Sequence, residues 1–526
     1  MIGYNSFLFI VVFFGITFLI YSVLPRKARW VVLLVSSWAF YFLSSRGHII
    51  PMIATTLLIW ADGLVLQKLG DSFKAKKKGL KKEERKALKI KYGRKQSAVL
   101  TVGVLLTAAI LLVCKYSNFF IDTANGLFGA SIKNVDIIQP LGISFYTLSA
   151  ISYLVDIKRG KFEARKNPLR VSLFLSFMLN VVEGPIARYD NLGFELEECR
   201  GFEPKSVLWG AERILWGLFK KVVVADRAAA LVNAVFKDSD SYNGIVIVLA
   251  VMMYTLQLYF EFSGIMDLVC GLAEMLGIKL PENFSRPFFA KSVNEFWQRW
   301  HITLGSWLRD YVFYSISLSK PFQKLTKASR KRFNTYYANL VPVSVALFFV
   351  WFGNGFWHGS GWKYVTYGLY YYVIMMLGQF LEPLFAKLCE RLKLDRQSKG
   401  YGRFQVARNF LIVNGGMLIF RADTLAQAWK MLCSVFVSPA KAAQSLLYGF
   451  DNFGIDVFDF VIIIIGLVIV IWVGTLQEKG VVIRERIGRY PFAVKFIGML
   501  IAVLIIVIFG AYGAGYDVQD LIYANF

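Results

Sequence analysis

Phe7-Leu-Phe-Ile-Val-Val-Phe-Phe-Gly-Ile-Thr-Phe-Leu-Ile-Tyr-Ser-Val-Leu24 runs without a single charge and stops at Pro25-Arg26-Lys27. A chain crosses the hydrocarbon core of a bilayer in about 20 apolar residues. Comparable runs recur at Val99–Cys114, Ile245–Phe260, Val341–Trp351 with its flanks, Val457–Val473 and Phe496–Tyr512. About eleven to thirteen such stretches can be drawn, some of them re-entrant. Composition agrees: 56% of the 526 residues are apolar, 16% aromatic and only 18% charged, which excludes an ordinary soluble domain. The expected fold is an all-α polytopic integral membrane protein.

The net charge of +25 raises nucleic-acid binding as a reading, and the placement of the charge removes it. Between Lys74 and Lys95 lie 12 Lys/Arg and two acids, Glu83 and Glu84. Lys320–Arg332 holds six Lys/Arg and no acid, and Lys158–Arg170 is also basic. Such runs between apolar spans read as cytoplasmic loops that attract anionic lipid, and no nucleic-acid module accompanies them. The orientation that fits all three puts the N-terminus outside. The first span has no basic residue before it and no small-residue cleavage site, so it reads as a retained helix. The five cysteines, Cys114, Cys199, Cys270, Cys389 and Cys433, form no metal or redox motif.

One membrane-embedded domain is expected over residues 1–526, in three parts. Residues 1–135 alternate apolar spans and polar loops, and residues 387–526 return to that plain pattern with two strong spans near the end. Residues 136–386 differ, because Gly, Pro and polar residues break the apolar runs at Pro140-Leu-Gly142, Glu183-Gly-Pro185 and Phe260-Glu-Phe-Ser-Gly264. Irregular backbone at membrane depth is tolerated only inside protein or beside a water-filled cavity. The middle part is therefore expected to enclose the site.

Three histidines occur. His48, beside a Gly near a span end, reads as interfacial. His301 follows Glu295-Phe-Trp-Gln-Arg-Trp300 and precedes Arg309-Asp310. If that stretch is helical, Trp297, Trp300 and His301 share one face at i, i+3 and i+4, as an aromatic anchor or as part of a site. His358, in Trp351-Phe-Gly-Asn-Gly-Phe-Trp-His358-Gly-Ser-Gly361, is the leading catalytic candidate. Imidazole titrates near neutrality and can take a proton from a hydroxyl, and flanking glycines allow close backbone approach. Glu183, Arg188, Glu261 and Asp267 would each cost about 2.5–3.5 kcal/mol at a bilayer centre. They are expected to pair internally or to line an aqueous path, with Asp62 a weaker case. Ser144, Ser263 and Ser360 lack a nucleophile-elbow pattern.

Taken together, several blocks resemble the membrane-bound O-acyltransferase family, and within it the bacterial branch that acetylates alginate and other exopolysaccharides. They are Pro140–Asp156, Gly217–Asp226, Gln257–Gly264 with Asp267, Glu282-Asn-Phe-Ser-Arg-Pro-Phe288, Phe296–Asp310, Trp357-His-Gly359, Phe420-Arg-Ala-Asp423 and Leu521–Phe526, in order along nearly the whole chain. The resemblance implies a helical shell around a central channel, with His358 as the catalytic His and His301 as a second His on the cytoplasmic side. It also implies a bacterial cytoplasmic membrane, a cytosolic acyl thioester donor such as acetyl-CoA, no tightly bound cofactor and no metal. An extracytoplasmic polysaccharide is the implied acceptor, reached directly or through a secreted or membrane-anchored partner acyltransferase. The channel would be lined from Trp297, Arg299, Trp300, Asn354, Trp357, Glu261, Asp267, Glu183, Arg309 and Asp310. His358 would act as general base, with Asn354 and N–H groups near Gly359 as oxyanion donors, while His301, Arg299 and the tryptophans guide the donor. Alginate-branch members tend to carry a His shortly before the Gly-Pro pair, where this chain has Asn180-Val-Val-Glu183. D-alanyl transfer to teichoic acid, acylation of lipid, sterol or protein, and a lipid-linked substrate transporter or flippase stay open on sequence.

Overall fold

Uninterrupted apolar sequence has to satisfy its own backbone in lipid, and helices do so within one segment. In the computed structural model, which describes residues 3–242, 244–437 and 455–512, six helices are long and apolar enough to cross a membrane. They are Ile50–Lys76, Lys82–Phe128, Ile245–Met275, Thr335–His358, Val457–Glu478 and Phe492–Phe509. Trp362–Phe380 and Glu382–Arg391 form a seventh, bent by 53°. The remaining apolar stretches of the described residues are shorter, broken or less apolar helices. Contacts divide the chain into two compact units, Met1–Ala211 with Val269–Pro281, and Glu212–Leu268 with Glu282–Phe526.

The first unit contains α1 (Phe14–Val23), α2 (Arg26–Ser44), α3 (Ile50–Lys76), α4 (Lys82–Leu111), α5 (Ile143–Arg159) and α6 (Pro168–Ser176). The basic stretch read as a loop over Lys74–Lys95 is mostly helix, with only residues 77–81 turning between α3 and α4. Lys, Glu, Ala and Leu are strong helix formers. In addition, Glu84 accepts the Lys81 N–H at 2.9 Å and places its charge in the first turn, where the helix dipole favours it. The helices approach closely: a Cβ at Gly103 of α4 would strike the Asp62 carboxylate of α3. Residues 177–187 run without helix and are wholly buried, as irregular backbone at membrane depth requires. Glu183 lies in this segment at 2% exposure.

The second unit takes the end of α7 (Pro204–Leu218), α8 (Asp226–Lys237) and α9 (Ile245–Met275) as far as Leu268. Two short helices follow, α10 (Val293–Arg299) and α11 (Ile302–Trp307). Then come α12 (Lys320–Arg332), α13 (Thr335–His358), α14 (Trp362–Phe380), α15 (Lys399–Arg421), α16 (Leu425–Val437), α17 (Val457–Glu478) and α18 (Phe492–Phe509). The second basic run, also read as a loop, is the helix α12, capped by Ser319 with Pro in its first turn and Arg330, Lys331 and Arg332 in its last. Glycines set the crossings that matter for the site. A Cβ at Gly355 would lie 2.3 Å from the Tyr364 carbonyl, and one at Gly368 would lie 2.3 Å from the Trp351 carbonyl, so α13 and α14 meet backbone to backbone. The same device at Gly217 and Gly264 brings the C-terminal end of α7 against α9. The two strong spans expected near the C-terminus are α17 and α18. The Leu521–Phe526 block lies outside the described residues.

Candidate active site

The helix that would have aligned Trp297, Trp300 and His301 ends at Arg299. Trp300 is extended (φ −111°, ψ 130°), and His301 is left-handed (φ 47°, ψ 51°) before α11 begins. The shared helical face is therefore not formed. Pairing with a second segment breaks it: Phe284 and Trp300 form an antiparallel bridge, Ser285 N–H donates to Arg299 O at 2.9 Å, and Ile302 N–H donates to Asn283 O at 2.9 Å. Left-handed backbone is costly for a residue with a side chain, and this clamp holds it.

The break turns His301 and Trp300 to different surroundings. The Trp300 ring packs among Tyr259, Phe284, Phe288 and Phe296 at centroid distances of 5.1–6.4 Å and is 2% exposed. The His301 imidazole, equally buried, meets Phe262 at 4.9 Å, Trp357 at 5.7 Å and His358 at 6.4 Å. Its Nδ1 lies 3.2 Å from Asn283 Oδ1. The break is outside the helices long enough to span, and burial lowers the His301 pKa to about 3, which keeps the ring neutral.

His358 closes the C-terminal end of α13 at 3% exposure. Its ring is walled by Trp357 at 5.0 Å, Phe420 of α15 at 5.4 Å and Tyr367 of α14 at 5.8 Å. Gly359 must be glycine here, because a Cβ would lie 2.2 Å from the Tyr364 ring. Asn354 lies one turn earlier on the same helix and is buried. The two histidines, 57 positions apart by number, thus become neighbours in one aromatic box.

Within the second unit, other expected site residues fall outside this box. Trp297 packs on Trp351, Tyr371 and Tyr367, and Tyr367 in turn packs on His358. Arg299 pairs with Glu295 at 2.8 Å and with Glu478 of α17 at 2.7 Å, and Arg286 joins Glu478 at 2.6 Å. Arg309 is exposed and pairs with its neighbour Asp310 at 2.9 Å. Glu183 and Arg188 belong to the first unit. His48 places Nδ1 2.9 Å from Ser45 O, in keeping with a structural role.

The two acids of α9, Glu261 and Asp267, are paired, and the sequence reading did not single out their partners. Asp267 is held by Lys220 at 2.6 Å and Arg213 at 2.9 Å, with Ser263 2.9 Å from the Lys220 ammonium. Glu261 meets Lys221 at 3.2 Å, which also binds Asp226 at 2.6 Å. These cations lie in or near the quoted Gly217–Asp226 block; two adjacent lysines in an apolar setting were the available signal. Asn283, Phe262, Tyr367 and Phe420 were likewise missed as individual site residues.

An all-helical integral membrane protein with two buried imidazoles sharing an aromatic box defines the class. The chain belongs to the membrane-bound O-acyltransferase family, whose description matches residues 101–330, and it is an O-acyltransferase. It is 30% identical over 436 residues to the "Probable alginate O-acetylase AlgI" of Azotobacter vinelandii, covering 82% of this chain and 76% of that protein. The peptidoglycan O-acetyltransferase of Helicobacter pylori is 30% identical over 51% of this chain and 53% of its own length. The teichoic acid D-alanyltransferase of Bacillus subtilis is 30% identical over 47% of this chain and 60% of its own.

Proposed function

We propose that this protein passes an acetyl group from a cytosolic thioester such as acetyl-CoA to a hydroxyl of an extracytoplasmic polysaccharide, or to a partner protein that acylates the polymer. The observation that carries this reading is the His301–His358 pair, two imidazoles with ring centroids 6.4 Å apart in a buried aromatic box. The relatives named for alginate and peptidoglycan acetylation support the acetyl and glycan assignments.

In the proposed step, His358 takes the proton from the acceptor hydroxyl as its oxygen attacks the thioester carbonyl carbon. The carbonyl oxygen becomes an oxyanion, for which the Asn354 amide and N–H groups near Gly359 are the proposed donors. Collapse breaks the C–S bond, and His358 returns its proton to the departing thiolate. His301 positions one of the substrates. The buried aromatic walls exclude the water that would otherwise hydrolyse the thioester.

The test reconstitutes the protein in vesicles with thioester inside and acetylatable glycan outside, with and without co-expressed envelope partners. Acetyl transfer that needs His358 is expected. Transport of a glycan without thioester consumption would replace this reading with the flippase one, and transfer of D-alanine alone would replace the donor.

A further inference from the structure

Asn283 opens the clamped segment, at 1% exposure, and its side-chain carbonyl oxygen has three partners. The Thr303 backbone N–H reaches Oδ1 at 3.1 Å, the Thr303 hydroxyl at 2.9 Å and His301 Nδ1 at 3.2 Å. The amide nitrogen faces Met266 Sδ at 3.3 Å. An amide can be turned end for end without changing its shape, so its orientation has to be deduced from its partners. Here a backbone N–H decides it, because that group can only donate. The atom facing Thr303 is therefore the carbonyl oxygen, and a carbonyl oxygen can only accept. The nitrogen of His301 that meets it must then carry the proton. In a neutral imidazole, one protonated nitrogen leaves the other as an acceptor.

We propose that Asn283 is a positioning residue that fixes His301 in the Nδ1–H tautomer, making Nε2 a hydrogen-bond acceptor for a substrate N–H or O–H. The function of that acceptor rests on the acyl-transfer reading above; the tautomer does not. Two consequences follow for the chemistry. Through Nε2 this His301 cannot donate to an oxyanion, so that role falls to Asn354 or to backbone N–H groups. It also divides the labour between the two imidazoles, with His301 binding and His358 carrying the proton. Asn283 further links the tautomer to the backbone, since its own carbonyl accepts the Ile302 N–H that follows the left-handed His301.

The chain has only three histidines, so nitrogen-15 labelling of histidine in the full-length protein gives a spectrum of three imidazoles. His48→Gln and His358→Gln assign them. The expected result near neutral pH is a His301 ring protonated at Nδ1 and bare at Nε2. A wild-type ring protonated at Nε2 overturns the proposal whatever the activity. Asn283→Asp keeps an acceptor for the same three donors and is expected to keep the Nδ1 proton, with transfer partly retained. Asn283→Leu is expected to lose the fixed tautomer and to raise KM for thioester or acceptor about 10- to 100-fold, by analogy with the loss of partners that orient metal-ligating imidazoles. An Asn283→Leu protein with an unchanged ring signal and unchanged KM values also overturns it. Should the leucine variant fail to insert, the wild-type spectrum and the aspartate variant still decide. If the Nδ1–H tautomer is found in a protein that transfers no acyl group, the functional reading fails and the tautomer assignment stands.

Discussion

His358 and His301 stand in different chemical positions although they share a box, and single substitutions should separate them. His358→Ala removes the proposed proton acceptor. It should lower acyl transfer about 100- to 10,000-fold, while abundance in the membrane fraction stays near wild type, since one intramembrane hydrogen bond is worth only about 0.6–2 kcal/mol. Immunoblotting against acetyl content of the exported polymer checks this, and near-normal acetylation at equal abundance would remove His358 from the mechanism. His301→Ala should weaken thioester use more than it reduces abundance. Both residues were legible because three histidines in a long chain are conspicuous, and one lay among glycines in an apolar run. Their adjacency was not legible, nor were Phe262 and Phe420, which come from other helices and carry no local mark of the ring they touch. The carboxylates Glu261 and Asp267 were legible as residues needing partners. Which lysine answered which acid was decided by the close approach at Gly217 and Gly264.

At the scale of elements, the spans were readable from apolar length alone, whereas the breaks were not. The helical periodicity around Trp297, Trp300 and His301 was a sound local signal, but tertiary pairing with Asn283–Ser285 overrode it. The basic runs failed the loop reading for the opposite reason: Lys-rich sequence is good helix sequence, and charge says where a segment sits rather than how it folds. Glycines on α13 allow a matched comparison. A Cβ at Gly355 would lie 2.3 Å from the backbone carbonyl of Tyr364, which cannot yield without moving α14, whereas a Cβ at Gly353 meets nothing within 4 Å. Gly355→Ala should therefore lower thermal stability in detergent and displace His358, with activity falling too. Gly353→Ala should be neutral or stabilising by up to about 1 kcal/mol, the helix-propensity difference. Equal melting temperatures for the two variants would show that the α13–α14 crossing is looser than these distances.

For the whole molecule, the arrangement of charge sets the direction of the chain in the bilayer. The α3–α4 turn is flanked by most of the 12 cations between Lys74 and Lys95, and moving them across a membrane against the positive-inside bias is disfavoured. α12 adds six more with no acid, and its last turn leads directly into the N-cap of α13. If both basic segments are cytoplasmic, α13 enters from that side and carries His358 at its far end, so a cytosolic thioester has to travel inward to reach the imidazole. An impermeant thiol reagent applied to intact cells tests this. Gly79 at the tip of the turn is a poor probe site because its φ of 81° strains any side chain, whereas Lys78 beside it is exposed. The exposed Cys433 is first changed to Ser to remove its background. In that protein, Lys78→Cys should resist labelling in intact cells and label fully after the membrane is opened. Strong labelling from outside would invert the orientation.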